Sequence, residues 1–174
     1  DKRGALIQKL ITSEAVSIDT ETTDTDPIEA EIVGMSFSIK ENEAYYVPVP
    51  AEKSEALKIL NEFKYIFESE EIIKIGQNIK YDMLILKKYG INVKGKIFDT
   101  MVAHYVLQPE LRHGMDYLAE IYLNYQTIHI DELIGPKGKS QKSMRELPPE
   151  DVYLYACEDA DITLKLKNIL EKKL

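Results

Sequence analysis

The sequence has no tryptophan, a single cysteine and no apolar run that approaches the length of a bilayer. A helix that crosses a membrane needs about 20 consecutive apolar residues, so no membrane association is predicted. The lone Cys157 excludes an internal disulfide and favours a reducing, cytoplasmic compartment. No signal peptide is predicted at the amino terminus, and the missing initiator methionine indicates a piece of a longer protein.

Basic residues are fewer than acidic residues in this sequence. The 22 lysines and arginines are outnumbered by 30 aspartates and glutamates, which gives a net charge of −8. This balance argues against broad electrostatic adhesion to nucleic acid, which needs a basic surface. It leaves open a small acidic site that reaches a phosphate through bound metal ions.

The 174 residues and their 44% hydrophobic content predict one domain, residues 1–174, with an ordinary core. Three strands come first, near residues 16–21, 32–39 and 44–49, and a turn at 40–43 predicts an antiparallel meander. One strand at 72–75, a brief strand at 97–98 and helices follow. The predicted fold is α/β, with a mixed sheet flanked by helices. The helices are expected at residues 4–11, 52–67, 79–88, 99–107, 115–122 and 149–170, with a loop-rich segment at 129–147.

Two carboxylates follow the apolar start of the first strand, in the segment Val16–Thr23. Side chains alternate along a strand, so Asp19 and Glu21 project from the same face. Like charges at this spacing repel each other, and a bound cation removes that cost. The pair is therefore a candidate metal site, although a strand that runs into a polar loop has the same pattern.

Three more positions carry candidate chemistry. Asp82 falls in the first turn of a helix that Asn78 is predicted to cap, just past a strand end, where α/β folds place ligands. Tyr155 and Asp159 lie four residues apart on one face of the last helix. Glu158 and Asp161 point away from that face. An acid near a helix start and a solvated acidic stretch are the structural alternatives.

Together these positions are similar to the DEDD exonucleases, in the subgroup that has a tyrosine. From about residue 14 to 170, the chain resembles the proofreading 3′→5′ exonuclease domain of bacterial family A DNA polymerase I. The resemblance implies a ribonuclease H-like fold and a polymerase domain carboxy-terminal to this one in the full-length chain. It is carried by Ser17–Thr22 (SIDTET), Gly76–Asp82 (GQNIKYD), Phe98–Met101 (FDTM), Arg112–Ala119 (RHGMDYLA) and Tyr155–Asp161 (YACEDAD).

The resemblance implies a metal-dependent nuclease that releases nucleoside 5′-monophosphates from a single-stranded or frayed DNA 3′ end. Two divalent ions, Mg²⁺ or Mn²⁺, suit carboxylate ligands. Asp19 is expected to bridge both ions, Glu21 and Asp159 to hold one, and Asp82 to hold the other. Tyr155 is expected to position the attacking water. These five residues are the predicted catalytic set.

Substrate contacts are expected from Thr20, Thr25, Gln77, Asn78 and Ile130. Two of these positions depart from the family pattern. Thr25 stands where the family has a hydrophobic wedge, and Ile130 stands where it has an aromatic residue that stacks on a base. We therefore expect an intact catalytic set with an altered grip on the terminal nucleotides.

Two other functions fit the same residues. One is an RNA-trimming exonuclease of the RNase D type, and the other is a silent module that braces a polymerase. The basic residues of the loop-rich segment are interpreted as a solvated surface, with contact to DNA phosphates as the alternative. They are Lys137, Lys139, Lys142 and Arg145.

Overall fold

A five-stranded mixed sheet forms the centre of the computed structural model, which describes residues 1–174. Strand β2 pairs antiparallel with both β1 and β3, and β4 and β5 run parallel to β1. The order across the sheet is β3-β2-β1-β4-β5. The predicted α/β class and antiparallel meander are confirmed. The strands are β1 (Ala15–Thr22), β2 (Ile32–Lys40), β3 (Glu43–Pro48), β4 (Ile73–Gly76) and β5 (Ile97–Asp99).

Seven helices surround this sheet, and none of them combines the length and apolar character that crossing a bilayer requires. The segment predicted to be loop-rich contains a five-residue helix and a short 3₁₀ turn at Met144–Glu146. That helix is too short to show a helical period in the sequence. The helices are α1 (Lys2–Ile11), α2 (Lys53–Glu68), α3 (Ile79–Lys88), α4 (Thr100–Leu107), α5 (Met115–Leu123), α6 (Ile130–Ile134) and α7 (Pro149–Leu170).

The alternation of β1 divides its side chains between the two faces of the sheet. Val16 and Ile18 are buried in the main core with residues of α1, α2 and α3. In that core, Phe63 of α2 stacks on Phe37 of β2 with ring centroids 5.3 Å apart. Ser17 faces the other way, towards α7. Helix α7 thus covers the face from which the carboxylates project.

The parallel strands β1, β4 and β5 have their carboxyl ends on the same side of the sheet. The last residue of β5 there bonds the turn between β4 and α3. Asn78 occupies the predicted N-cap position of α3 with a left-handed backbone (φ 57°), but its side chain makes no capping bond. Asp99 supplies that cap instead, because its carboxylate accepts from the backbone N–H groups of Asn78 (3.1 Å) and Ile79 (3.0 Å). The carboxamide of Asn78 is thereby left for other contacts.

Candidate active site

A cluster of three carboxylates lies at the carboxyl end of β1. Oxygens of Asp19, Glu21 and Asp159 all lie within 4.8 Å of one another. Two of these residues come from alternate positions of β1, which projects them from one face, and the third comes from α7. The sequence-predicted pair and its helical partner are therefore neighbours in space.

A buried hydrogen bond sets α7 in this position. Ser17, two residues before Asp19, donates its hydroxyl to the backbone carbonyl of Ala160 at 2.8 Å. Ala160 is the residue after Asp159, so this bond fixes the helix against β1 at the cluster. The cluster thus depends on a contact between residues 143 positions apart.

The other acids of α7 have structural partners. Glu158 accepts from the Tyr125 hydroxyl (2.7 Å) and from the Ile128 backbone N–H (2.9 Å). Asp161 pairs with Lys165 at 2.7 Å and also anchors the β2–β3 turn. The prediction that these acids point away from Asp159 is confirmed.

Asp82 reaches the same strand from α3. It is 2% exposed, and its carboxylate accepts from the Thr20 backbone N–H (2.9 Å) and the Thr20 hydroxyl (2.5 Å). Thr20 sits between Asp19 and Glu21 in the chain, so these bonds hold Asp82 beside the pair. Asp82 is not among the three clustered ligands, and its predicted metal contact stays a prediction.

Burial and mutual repulsion disfavour negative charge throughout the cluster. Burial, followed by the charge of Asp159, raises the pKa of Asp19, and burial and the charge of Asp19 raise the pKa of Glu21. The pKa of Asp82 rises for the same reasons, burial first and then Asp19. The pKa of Asp159 rises to about 7, mainly through burial and then through Glu158. Without a cation, the cluster holds protons that isolated carboxylates would release.

Tyr155 is half-buried beside these acids. Burial, and then the charges of Asp159, Glu21 and Asp19, raise the pKa of its phenol far above the usual value near 10. The hydroxyl therefore stays protonated at neutral pH and can donate a hydrogen bond. A phenol in this state cannot serve as a base.

The donor set fits divalent cations. Glu21 is 5% exposed, and its Oε1 is buried without any hydrogen-bond partner. A buried acceptor without a partner costs free energy unless something satisfies it. Oxygen-only carboxylate ligands are those that Mg²⁺ and Mn²⁺ prefer. Asp19, Glu21 and Asp159 are thus suited to hold such an ion.

A cleft of about 470 Å³ opens beside Glu21. Four of the five predicted substrate-binding residues line it, namely Thr20, Thr25, Asn78 and Ile130. Gln77 does not. Its amide group donates to the His113 carbonyl at 2.7 Å and accepts from the Thr100 hydroxyl.

The cleft also contains residues outside the predicted substrate-binding set. Tyr81 lines one wall and bonds through its hydroxyl to the Thr22 hydroxyl (2.6 Å) and the Asp24 carbonyl (2.5 Å). Lys142 and Ser143 line another part, together with α6. Tyr81 lies in the GQNIKYD segment directly before Asp82, and that position next to a predicted metal ligand could have marked it as a site residue. Lys142 was predicted to contact DNA phosphates only as an alternative to a solvated surface, and no local pattern marked Ser143.

Comparisons with known proteins identify the family. A family model described as 3′-5′ exonuclease matches residues 2–174. The chain belongs to the 3′-5′ exonuclease family. It is 38% identical over 179 residues to DNA polymerase I of Pseudomonas aeruginosa and 39% identical over 172 residues to that of Borreliella burgdorferi. These alignments cover 98% and 97% of this chain but 20% and 18% of the relatives, so it spans about a fifth of their length.

Solved structures place this exonuclease family member in the ribonuclease H-like fold class. Brucella melitensis NrnC with bound Mg²⁺ has a TM-score of 0.72 and 21% identity, covering 94% of this chain and 74% of that one. A nuclease in its apo form has a TM-score of 0.77 and 18% identity, covering 96% and 76%. At these identities the likeness concerns the fold. The predicted fold and the resemblance to the polymerase I exonuclease domain are both confirmed.

Proposed function

We propose that this exonuclease domain removes nucleotides from a DNA 3′ end with two divalent metal ions, Mg²⁺ or Mn²⁺, and releases nucleoside 5′-monophosphates. The observation that carries the proposal is the cluster of Asp19, Glu21 and Asp159 within 4.8 Å, in a chain that belongs to the 3′-5′ exonuclease family. The unpartnered Oε1 of Glu21 supports metal binding there. The cleft is lined by Glu21 and would give a terminal nucleotide access to that carboxylate.

Each carboxylate has a distinct task in this proposal. The cations held by these carboxylates would supply charge neutralisation at the scissile phosphate and a lowered pKa for the attacking water. Asp19 would hold both ions, and Glu21 and Asp159 would hold one of them together. Asp82 serves the second site, while its bonds to Thr20 keep it beside β1.

Tyr155 orients the attacking water. Its raised pKa keeps the phenol protonated beside Asp159, so the hydroxyl can donate or accept a hydrogen bond but cannot remove a proton at neutral pH. Tyr155 therefore contributes position rather than basicity. In this proposal the carboxylates carry the negative charge that binds the cations, and the Tyr155 phenol stays neutral.

The substrate of the proposal is an unpaired 3′ end. Thr25, Asn78 and Ile130 line the cleft that would receive the terminal nucleotides. A paired end must first fray, which costs about 1.4 kcal/mol per base-pair step. The long polymerase I relatives further support a polymerase domain, carboxy-terminal in the full-length protein and cytoplasmic, that would supply such ends.

The deciding experiment incubates the domain with a 5′-labelled single strand of DNA, with Mg²⁺, with Mn²⁺ and with EDTA. We expect a ladder of progressively shorter products and free nucleoside 5′-monophosphates in either metal, and none in EDTA. Mismatched ends should be cut faster than blunt paired ends. Intact DNA in both metals would support the silent module, and faster cleavage of a matched RNA strand would support the RNA-trimming enzyme.

A further inference from the structure

The cleft has one cationic wall, formed by the segment between α6 and α7. Among the residues that line the cleft, Glu21 and Asp24 are acidic and Lys142 is the sole base. A strand that enters the cleft carries a phosphate at every linkage. The cations at the carboxylate cluster would neutralise the scissile phosphate, while the phosphates upstream of it would meet a wall that is otherwise acidic or neutral.

The Lys142 ammonium and the hydroxyl proton of Ser143 have no partner within the chain. The ion-paired lysines are Lys9, Lys58, Lys64, Lys165 and Lys167, which leaves the Lys142 ammonium unpaired. The adjacent Ser143 uses its Oγ to accept from the Arg145 backbone N–H at 3.2 Å, and its hydroxyl proton has no acceptor in the chain. An ammonium and a hydroxyl donor thus stand side by side at the cleft.

The wall is held in place on both sides of Lys142. Its backbone N–H donates to the Ile134 carbonyl at 2.8 Å, which fastens it to the end of α6. Met144, two residues later, is 3% exposed. The guanidinium of Arg145 donates hydrogen bonds to the Val49 carbonyl (2.6 Å) and to the Ile32 carbonyl. Arg145 therefore anchors the segment, and its guanidinium is engaged by backbone carbonyls of the chain itself.

We propose that Lys142 and Ser143 form a subsite for a phosphodiester on the 5′ side of the scissile linkage. The subsite rests on the proposed function and adds to it a determinant of chain length, because only a substrate with more than one phosphate can fill it. The ammonium supplies charge and Ser143 supplies a hydrogen bond to a phosphate oxygen. Because the segment is anchored on both sides, Lys142 and Ser143 already line the cleft before the DNA strand binds.

The test compares two substrates of the domain in Mg²⁺. One is a single-stranded oligothymidylate, and the other is the p-nitrophenyl ester of thymidine 5′-monophosphate, which has a single phosphate. In Lys142→Ala, the ratio of kcat/KM for the oligonucleotide to that for the ester should fall about fivefold, mainly through the KM for the oligonucleotide. The slope of log KM against log salt concentration should fall by about 0.7, the value for one phosphate contact on a single strand.

Lys139→Ala is the matched control, because it removes the same charge from the same exposed segment outside the cleft lining. It should keep the wild-type ratio. A single neutral methylphosphonate at the contacted linkage should lower the wild-type ratio and leave that of Lys142→Ala unchanged. An unchanged ratio in Lys142→Ala, or an equal fall in Lys139→Ala, would overturn the subsite alone. Wild-type protein that cleaves neither substrate would overturn the proposed function and the subsite with it.

Discussion

The hydroxyl of Ser17 on β1 donates to the backbone carbonyl of Ala160 on α7 at 2.8 Å, and both residues are fully buried. Ser17 precedes Asp19 by two residues, and Ala160 directly follows Asp159. The bond therefore joins the strand and the helix at the point where their carboxylates meet. It fixes the position of α7 along β1, and with it the separation of the two acids.

Replacing Ser17 by alanine should weaken both the fold and the site. A typical hydrogen bond contributes about 1 kcal/mol, and such a loss lowers the melting temperature by about 2–4 °C in a domain of this size. We expect kcat to fall more than KM rises, because Asp159 loses its alignment with Asp19. Thermal unfolding and steady-state kinetics measure both effects.

Ser36→Ala is the control for that variant. Ser36 pairs with Asp19 across β1 and β2, is fully buried and has an Oγ without a hydrogen-bond partner. Removing this hydroxyl should leave stability unchanged or raise it. If both serine variants behave alike, the Ser17–Ala160 bond does not position α7.

Replacing Asp19 by alanine should abolish cleavage and leave the fold intact. Asp19 is the proposed bridge between the two ions, so its loss removes a ligand from each. Repulsion within the cluster should also decrease, and the melting temperature in EDTA should stay equal or rise. Asp151→Ala, which removes an exposed acid from the first turn of α7, is the matched control. Turnover in Mg²⁺ close to that of the wild type would contradict the two-metal assignment.

Replacing Tyr155 by phenylalanine keeps the ring and removes the hydroxyl alone. A group that positions water should contribute roughly 10²-fold or less to the rate, so a measurable residual activity is expected. Single-turnover rates in saturating Mg²⁺ measure it, and a metal titration followed by melting temperature checks that the ions still bind. Complete inactivity with normal metal binding would assign the hydroxyl a chemical role.

The metal-free domain should become less stable as the pH rises. The pKa of Asp159 is about 7 in the fold against an ordinary value of 3.8, so the folded state binds the extra proton between these values. Stability present near pH 4 is therefore lost progressively up to about pH 7. In EDTA, the melting temperature should be higher at pH 5 than at pH 7.5, and Asp159→Asn should reduce the difference. Added Mg²⁺ should raise the melting temperature more at pH 7.5 than at pH 5. A pH profile that Asp159→Asn leaves unchanged would assign the effect to other groups.

Much of this domain could be predicted from local patterns. The alternation around Val16 and Ile18 predicted both the strand and the shared face of Asp19 and Glu21, because side chains in a strand repeat every two residues. The four-residue spacing of Tyr155 and Asp159 likewise predicted one helical face. The family motifs added the fold class and the family only as a resemblance, and the family match then confirmed that resemblance. The roles of the individual site residues stay a proposal.

The tertiary structure decided which of these groups meet. The Ser17–Ala160 bond spans 143 positions, and no period in the sequence encodes such a contact. The same limit applies to Asp99, which caps α3 from β5, and to Gln77, which is held by His113 rather than facing the cleft. Lys142 lies at the cleft because Met144 is buried and Arg145 donates to the Val49 and Ile32 carbonyls, which fixes the segment that carries it. Local sequence determined where each side chain projects from its own element, whereas long-range packing determined what it faces.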